Sequence, residues 1–262
     1  MPVAVSAKRS LAPLVKAVAP RSFYRRKYRI LQQLAESNHE IQLVRSLCDS
    51  NRISLDIGAD VGEFSIAMLA SSRSVIAFEP RQTQARTLAA MFDAVGADVR
   101  IEAIALSDQP GTTAMRVLEF DPGRSTIDNA NSLTDADGSP VRTIDVRVKR
   151  LDDLELDNIG LIKIDVEGHE LAVLHGATHT LRRNRPTLVI EAEERHHRGA
   201  VAAITDFLSG LGYTGYFTLD GIHRPISEFD AAQHQNPASI VGWKDGWTTH
   251  GTYINNFVFI PA

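Results

Sequence analysis

The sequence predicts an α/β protein: a mostly parallel sheet with helices between its strands. Two observations carry this. The segment Leu55-Asp56-Ile57-Gly58-Ala59-Asp60-Val61-Gly62 closes an apolar run, turns through two glycines, and enters a helix-like stretch. That stretch leads to a second apolar run ending in Phe78-Glu79-Pro80, which makes a strand, tight turn, helix and parallel strand. The second observation is the recurrence of near-continuous apolar runs at Leu161–Asp165 and Thr187–Ile190, the signature of strands buried on both faces.

The elements follow in order. From about Phe23 to Leu47 the apolar residues Ile30, Leu34, Ile41, Val44 and Leu47 recur at helical spacing and predict one helix. Ile53–Ile57 is the first strand, and Phe64, Ile66, Ala67, Leu69 and Ala70 mark a helix after the turn. Val75–Phe78 is the second strand, Gln82–Val95 a helix, and Val99–Ile104 a third strand. Between Ser107 and Leu154 the period changes to two, with Thr113, Met115, Val117 and then Ile144, Val146, Val148 alternating with polar residues. Half-exposed, antiparallel strands alternate in this way. The Asn-, Asp-, Ser- and Gly-rich stretch from Asp121 to Pro140 between them reads as a long surface loop, a length often used for function. Leu161–Asp165 is a strand, Ala172–Leu181 a short helix, Thr187–Ile190 a strand and Ala200–Leu211 a helix. Tyr213–Leu219 and Asn256–Ile260 read as closing strands that pair antiparallel, for a seven-strand sheet in all.

Composition narrows the class. With 262 residues, 44% apolar and 23% charged, the chain reads as an ordinary globular protein without a bilayer-length apolar run. One cysteine, Cys48, leaves no intrachain disulfide and no cysteine-based zinc cluster, which fits a cytoplasmic setting. Eight cations (Lys8, Arg9, Lys16, Arg21, Arg25, Arg26, Lys27 and Arg29) precede the first acid, Glu36. The whole chain carries −4, so the remainder carries −12 once these are set aside. Such an acidic body argues against nucleic-acid binding. The basic start reads as a helical extension on the body, as a peripheral membrane contact, or as an organelle-targeting peptide. The expected division is a basic helical extension over 1–50 and a catalytic domain over 51–262.

The glycine turn selects the cofactor. A dinucleotide fingerprint needs a second glycine where the backbone approaches a pyrophosphate. Asp60 stands there instead, and its carboxylate would repel a diphosphate. S-adenosylmethionine suits the site better, since it carries a sulfonium, an ammonium and a free ribose. Glu79, at the tip of the second strand, can accept two hydrogen bonds from vicinal ribose hydroxyls, or it is an exposed acid paired with Arg81. Asp56 can meet the cofactor's ammonium or cap the turn. Asp56, Glu79, Ala105, Asp165 and Glu191 all fall at or just after strand ends, where open α/β sheets bind ligands.

Two further segments carry acids and imidazoles. In Ile162-Lys163-Ile164-Asp165-Val166-Glu167-Gly168-His169-Glu170, residues 163, 165 and 167 share a face if the strand runs that far. Asp165 and Glu167 are the pair for acid–base or cation work, or else acids favoured by a helix N-terminus, the role that suits Glu170. His169 is a base or a loop residue. Glu191-Ala192-Glu193-Glu194-Arg195-His196-His197 brings more acids and two imidazoles to the rim, with His196 a candidate base. An Asp, a Glu and a His together could hold a divalent cation, but no close ligand spacing demands one, and no metal is expected.

These residues resemble the FkbM family of S-adenosylmethionine-dependent methyltransferases, from about Arg52 to Gly212. The carrying pieces are the Asp56–Gly62 turn, Phe78-Glu79-Pro80, Ala105-Leu106-Ser107-Asp108, Ile162 through Gly168, Leu174-His175-Gly176-Ala177, and Pro186 through Glu191. The resemblance implies a class I methyltransferase fold, a Rossmann-like sheet, acting on hydroxyls of sugars, glycolipids or secondary metabolites. It implies Asp56, Gly58, Ala59 and Gly62 at the methionine end of the cofactor, Glu79 and Pro80 at the ribose, and Ala105 and Leu106 near the adenine. Asp165, Glu167 and His196 are the catalytic candidates. Asp60 departs from the Asn more usual there. The stretch Ile222–Tyr253, with Trp243 and Trp247, falls outside these motifs and is where acceptor choice is expected. Competing readings are an NAD-dependent oxidoreductase or epimerase, and a non-catalytic binding module.

Overall fold

Alternation of apolar runs and amphipathic segments produces the expected parallel core. The structure, a computed structural model, describes residues 17–131, 133, 140–241, 248–249 and 251–262. Five strands form its centre: β1 (Ile53–Ile57), β2 (Ser74–Phe78), β3 (Val99–Glu102), β7 (Ile159–Ile164) and β8 (Thr187–Glu191). All five are mutually parallel, in the order β3-β2-β1-β7-β8. Strand order reverses between β1 and β7, the switch point where such sheets open a crevice at their carboxyl ends. Leu55, Ile57, Ile162, Ile164, Leu188 and Ile190 fill one face, while Val75, Leu161 and Val189 fill the other.

The far edge closes as expected. β11 (Asn256–Pro261) runs antiparallel between β8 and β9 (Tyr213–Leu219). The expected strand count is corrected: among the described residues the main sheet has eight strands, because β10 (Ile222–Pro225) folds back on β9 as a hairpin. The turn residues Asp220 and Gly221, both at positive φ, make that reversal. A second, three-stranded sheet holds β4 (Ala105–Leu106), β5 (Gly111–Leu118) and β6 (Val141–Lys149). The third strand was expected to run to Ile104. It stops at Glu102, and the chain leaves the main sheet so that Ala105 joins Met115, Val117, Val146 and Val148 in a separate small core. β5 and β6 pair antiparallel, as their period-two pattern predicts.

The helices are α1 (Pro20–Ser37), α2 (His39–Ser46), α3 (Glu63–Leu69), α4 (Gln82–Val95), α5 (Glu170–His175), α6 (Thr178–Asn184), α7 (Ala200–Gly210) and the short α8 (Ala231–His234). The single helix expected over 23–47 is two. Asn38 breaks it by accepting hydrogen bonds from the Glu40 and Ile41 amides at 2.9 and 3.2 Å, which caps the second helix. α1 buries Tyr24, Leu31 and Ala35 against the body, whereas Ile30 and Leu34 are 46% and 50% exposed. The helix expected over 172–181 is also two, divided at Gly176. A Cβ there would lie 2.0 Å from the Ser107 carbonyl oxygen. No helix among the described residues is long and apolar enough to cross a membrane. Trp243 and Trp247 lie outside the described residues.

Candidate active site

The ends of β1, β2 and β7 enclose a cleft of about 240 Å³. Its floor and one wall are apolar, with Phe78, Pro80, Ile104, Leu106 and Met115, and its rim carries Glu79, Asp165 and Glu167. The loop after β5, expected as a surface loop, corrects that reading over its described part. Ser125, Thr126 and Asn131 are buried, and residues 121–127 roof the cleft. The roof is held by the β7 segment: the Thr126 hydroxyl and the Asn131 side-chain amide both donate to the Glu167 carbonyl, at 2.9 and 2.8 Å.

Backbone geometry ties the two principal motifs together. Gly58 has φ +88°, and a Cβ there would lie 1.8 Å from the Asp165 carbonyl oxygen. This glycine is required by the packing of one motif on the other. Asp60 and Glu167 hold positive φ of 41° and 54°, uncommon for residues with side chains. Such positions persist only where surrounding contacts enforce them. The strand does not run to Glu167, so Lys163, Asp165 and Glu167 do not share a strand face as expected. β7 ends at Ile164, and a left-handed turn presents Glu167.

Glu79 is only 2% exposed and all its acceptor positions are used. One oxygen accepts from the Arg81 amide and Nε, both at 2.8 Å. The other accepts from Arg81 Nη2 at 2.8 Å and the Asp60 amide at 3.1 Å. Arg81 also reaches Asp60 at 2.5 Å and the Pro122 carbonyl of the roof. Burial alone would lower its pKa, but Glu79 and Asp60 raise it further above the usual range. The pairing of Glu79 with Arg81 is therefore real, and it is buried. The turn amides are also committed: Gly58 and Ala59 donate to the Phe78 carbonyl, Asp60 to Glu79, and Gly62 to the Ala59 carbonyl. A diphosphate needs such amides unpaired, so this turn is unsuited to NAD.

The opposite rim is crowded with charge. Lys163, 1% exposed, pairs with Asp165 at 2.8 Å and lies 4.2 Å from the Phe64 ring centre. Burial disfavours its charge, yet Asp165, Asp56 and Glu191 hold its pKa above the usual lysine range. Arg195 forks onto Glu193 at 2.6 and 2.7 Å, and the Tyr253 hydroxyl donates to the same carboxylate. Against the cost of burial, these donors hold Glu193 far below the usual carboxylate range. Burial raises Glu167 and Glu191, and neighbouring acids add to it. Burial would lower His196, but Glu167 and Glu193 outweigh it and lift the imidazole to about 9.

The structure sorts the expected residues. Gly58, Glu79, Pro80, Ala105, Leu106, Asp165 and Glu167 line one cleft. Asp56 does not. It is fully buried beneath the turn, accepts from Ser65 Oγ at 2.5 Å, and has its pKa raised by burial. It faces away because adjacent strand residues point to opposite sides, and its neighbour Ile57 takes the cleft side. Ala59 packs with Tyr24, Leu31 and Leu88. Gly62, φ +90°, serves the helix start, where a Cβ would lie 2.9 Å from Leu88. His196 stands behind Glu167 and outside the lining of the cleft, and it keeps its proton at neutral pH, so it does not suit the expected role of base. Glu170 caps its own turn, accepting from the Val166 and Gly168 amides at 3.2 and 3.0 Å. His169 lines the cleft, with Nε2 2.8 Å from Ser107 Oγ. Arg81, Thr126 and Asn131 are site residues that sequence reasoning did not select. For Arg81 the only signal was its place two residues after Glu79.

The family model of the methyltransferase FkbM domain matches residues 56–214. The chain belongs to the FkbM methyltransferase family. Two characterised relatives share part of it: the methyltransferase sdnD of Sordaria araneosa, 32% identical over 159 residues, and the AMB antimetabolite synthetase AmbE of Pseudomonas aeruginosa, 29% identical over 195 residues. The matches cover 48% and 60% of this FkbM-family chain, and only 61% and 9% of the respective relatives. An FkbM methyltransferase from Methylobacillus flagellatus KT has the same fold, with a TM-score of 0.50 at 16% identity, covering 80% of this chain and 44% of that one. The matched span holds the strand ends that form the cleft.

Proposed function

We propose that this protein methylates a hydroxyl oxygen of a sugar, glycolipid or secondary metabolite, with S-adenosylmethionine as donor. The observation that carries the reading is one cleft bounded by the Glu79 carboxylate on one side and the Asp165 carboxylate on the other. The cofactor, when bound, supplies an electrophilic methyl carbon. Glu79 would hold its ribose, and Phe78, Ile104, Ala105 and Leu106 offer an apolar bed for its adenine. The Asp60 carboxylate and the committed turn amides suit a cofactor without phosphates.

On the acceptor side, Asp165 is the group suited to take the hydroxyl proton. Lys163 fixes its orientation at 2.8 Å, and its side chain keeps 25% exposure toward the cleft. The roof over residues 121–127 would exclude water, and holding the hydroxyl near the methyl carbon is worth several kcal/mol of barrier by itself. Calorimetry with S-adenosylhomocysteine, together with transfer of a labelled methyl group to a fractionated extract, tests the reading. Saturable binding and label in a polar, alkali-stable ether support it. Absence of both overturns it.

We further propose that α1 meets an anionic membrane surface. Its outer side exposes Arg21, Arg26 and Arg29 with Ile30 and Leu34 beside them, the combination that seats an amphipathic helix at a lipid interface. Co-sedimentation with anionic but not neutral vesicles is expected, and should be lost in the Ile30→Ser/Leu34→Ser double variant.

A further inference from the structure

Behind the acidic rim lies a second donor set. Glu167 from the turn after β7, and Glu193 and His196 from the loop after β8, place one ligand atom each within 4.8 Å of one another. His196 is 6% exposed, and its Nε2 has no hydrogen-bond partner although Glu167 Oε2 is 2.9 Å away. Glu167 Oε2 is likewise buried without a hydrogen-bond partner, with Arg195 Nη2 4.0 Å away. His196 Nε2 and Glu167 Oε2 are at hydrogen-bond distance but out of line for a hydrogen bond. His196 Nε2 stands 3.5 Å from Glu193 Oε1.

Those separations have a simple meaning in coordination chemistry. Two donors each about 2.1 Å from one ion lie about 3.0 Å apart at a right angle and about 3.4 Å apart at a tetrahedral angle. The separations of 2.9 and 3.5 Å match those of neighbouring ligands of a common ion. The charge balance agrees. Asp165, Glu167, Glu191 and Glu193 interact with one another around two fixed cations, Lys163 and Arg195, and the proton carried by His196, which an incoming ion would displace. Buried charge without a partner is costly. Arg195 does not close the site. Its hydrogen bonds leave further lone pairs on Glu193, and ligating carboxylates are commonly oriented by such outer contacts.

We propose that Glu167, Glu193 and His196 bind a divalent first-row transition-metal ion, of the manganese type, beside the Asp165 wall of the cleft. One imidazole and two carboxylates favour such an ion over magnesium or calcium, which take oxygen ligands. Sequence spacing could not suggest it, since Glu167 is separated from the other two ligands by the whole of α5, α6 and β8.

Titration of the metal-free full-length chain with Mn²⁺, followed by electron paramagnetic resonance without cofactor or acceptor, tests the site. One ion per chain is expected, with a nitrogen coupling in the spin-echo spectrum. His196→Ala should remove the coupling. His196→Ala and Glu167→Gln should each weaken binding by more than about tenfold, the cost of losing even an outer-shell partner. Asp128→Asn, in the neighbouring Asp128–His197 pair, should change neither. No saturable binding, binding without nitrogen coupling, or undiminished binding in Glu167→Gln overturns the proposal. Since methyl transfer is not measured, failure here leaves the proposed activity standing, and failure of that activity leaves the ion site standing.

Discussion

Arg81 is the residue whose removal separates the roles of Glu79 most sharply. Both Glu79 oxygens are saturated, and two of the four bonds come from the Arg81 guanidinium. The other two come from backbone amides and stay in place. A ribose diol can therefore reach Glu79 only by displacing Nε and Nη2. Each such charge-assisted bond is worth about 1.5–3 kcal/mol. In the native protein these are exchanged for bonds of similar strength, so little net affinity remains from this contact. In Arg81→Met the same ribose bonds form with nothing displaced. S-adenosylhomocysteine should bind at least about tenfold more tightly, a gain of about 1.4 kcal/mol. The unliganded variant should be less stable by about 3 kcal/mol, since the buried Glu79 carboxylate loses its partner. Glu79→Ala in the Arg81→Met background removes both ribose acceptors and should weaken binding by at least about a hundredfold relative to Arg81→Met alone, the loss of two charged hydrogen bonds. Isothermal calorimetry at 25 °C and thermal unfolding of each variant supply the numbers. If Arg81→Met weakens binding, the guanidinium grips the cofactor itself and the displacement argument fails.

Asp165→Asn should leave S-adenosylhomocysteine affinity within about threefold and lower turnover by about a hundredfold, the low end for a general base; equal loss of both would make it a binding residue. Burial lifts Glu170 from 4.5 to about 7. Folding therefore favours its protonated form, and the stabilisation is complete below pH 4.5 and lost as pH rises through 7. Glu170→Gln should match the native protein near pH 4.5 and exceed it by up to about 3 kcal/mol at pH 8, read from urea midpoints; identical pH profiles would refute this. Gly58→Ala must place a Cβ against the Asp165 carbonyl at positive φ. It should cost about 2–6 kcal/mol, strain and overpacking each contributing about 1–3 kcal/mol. A shift under 1 kcal/mol in denaturant unfolding would show that the two motifs can move apart.

Much of this protein was legible before its structure. The parallel strands at 53–57, 75–78 and 187–190, the antiparallel pair at 111–118 and 141–149, and the antiparallel closing strand at 256–261 all follow from local periodicity. So does the placement of Glu79 and Asp165 at strand ends, because a parallel sheet gathers its carboxyl ends on one side. Periodicity is a property of neighbours in the chain, and it records burial and strand direction well. The direction of a side chain beyond the last paired residue is set by turns, which it does not record. Asp56 was assigned to the cofactor but points beneath the turn, since Ile57 holds the cleft-facing position. Glu167 reaches the cleft through a left-handed residue pinned by Thr126 and Asn131 from a loop about 40 positions earlier. The Arg81–Glu79 pair was legible as one of two readings but its burial was not, and His196 against Glu167 is a product of packing. The chain alone determined the parallel core and the strand ends at which Glu79 and Asp165 stand. Only the tertiary structure decided which acids face the cleft, which are buried behind it, and which cation each one meets, because these depend on contacts between segments far apart in sequence.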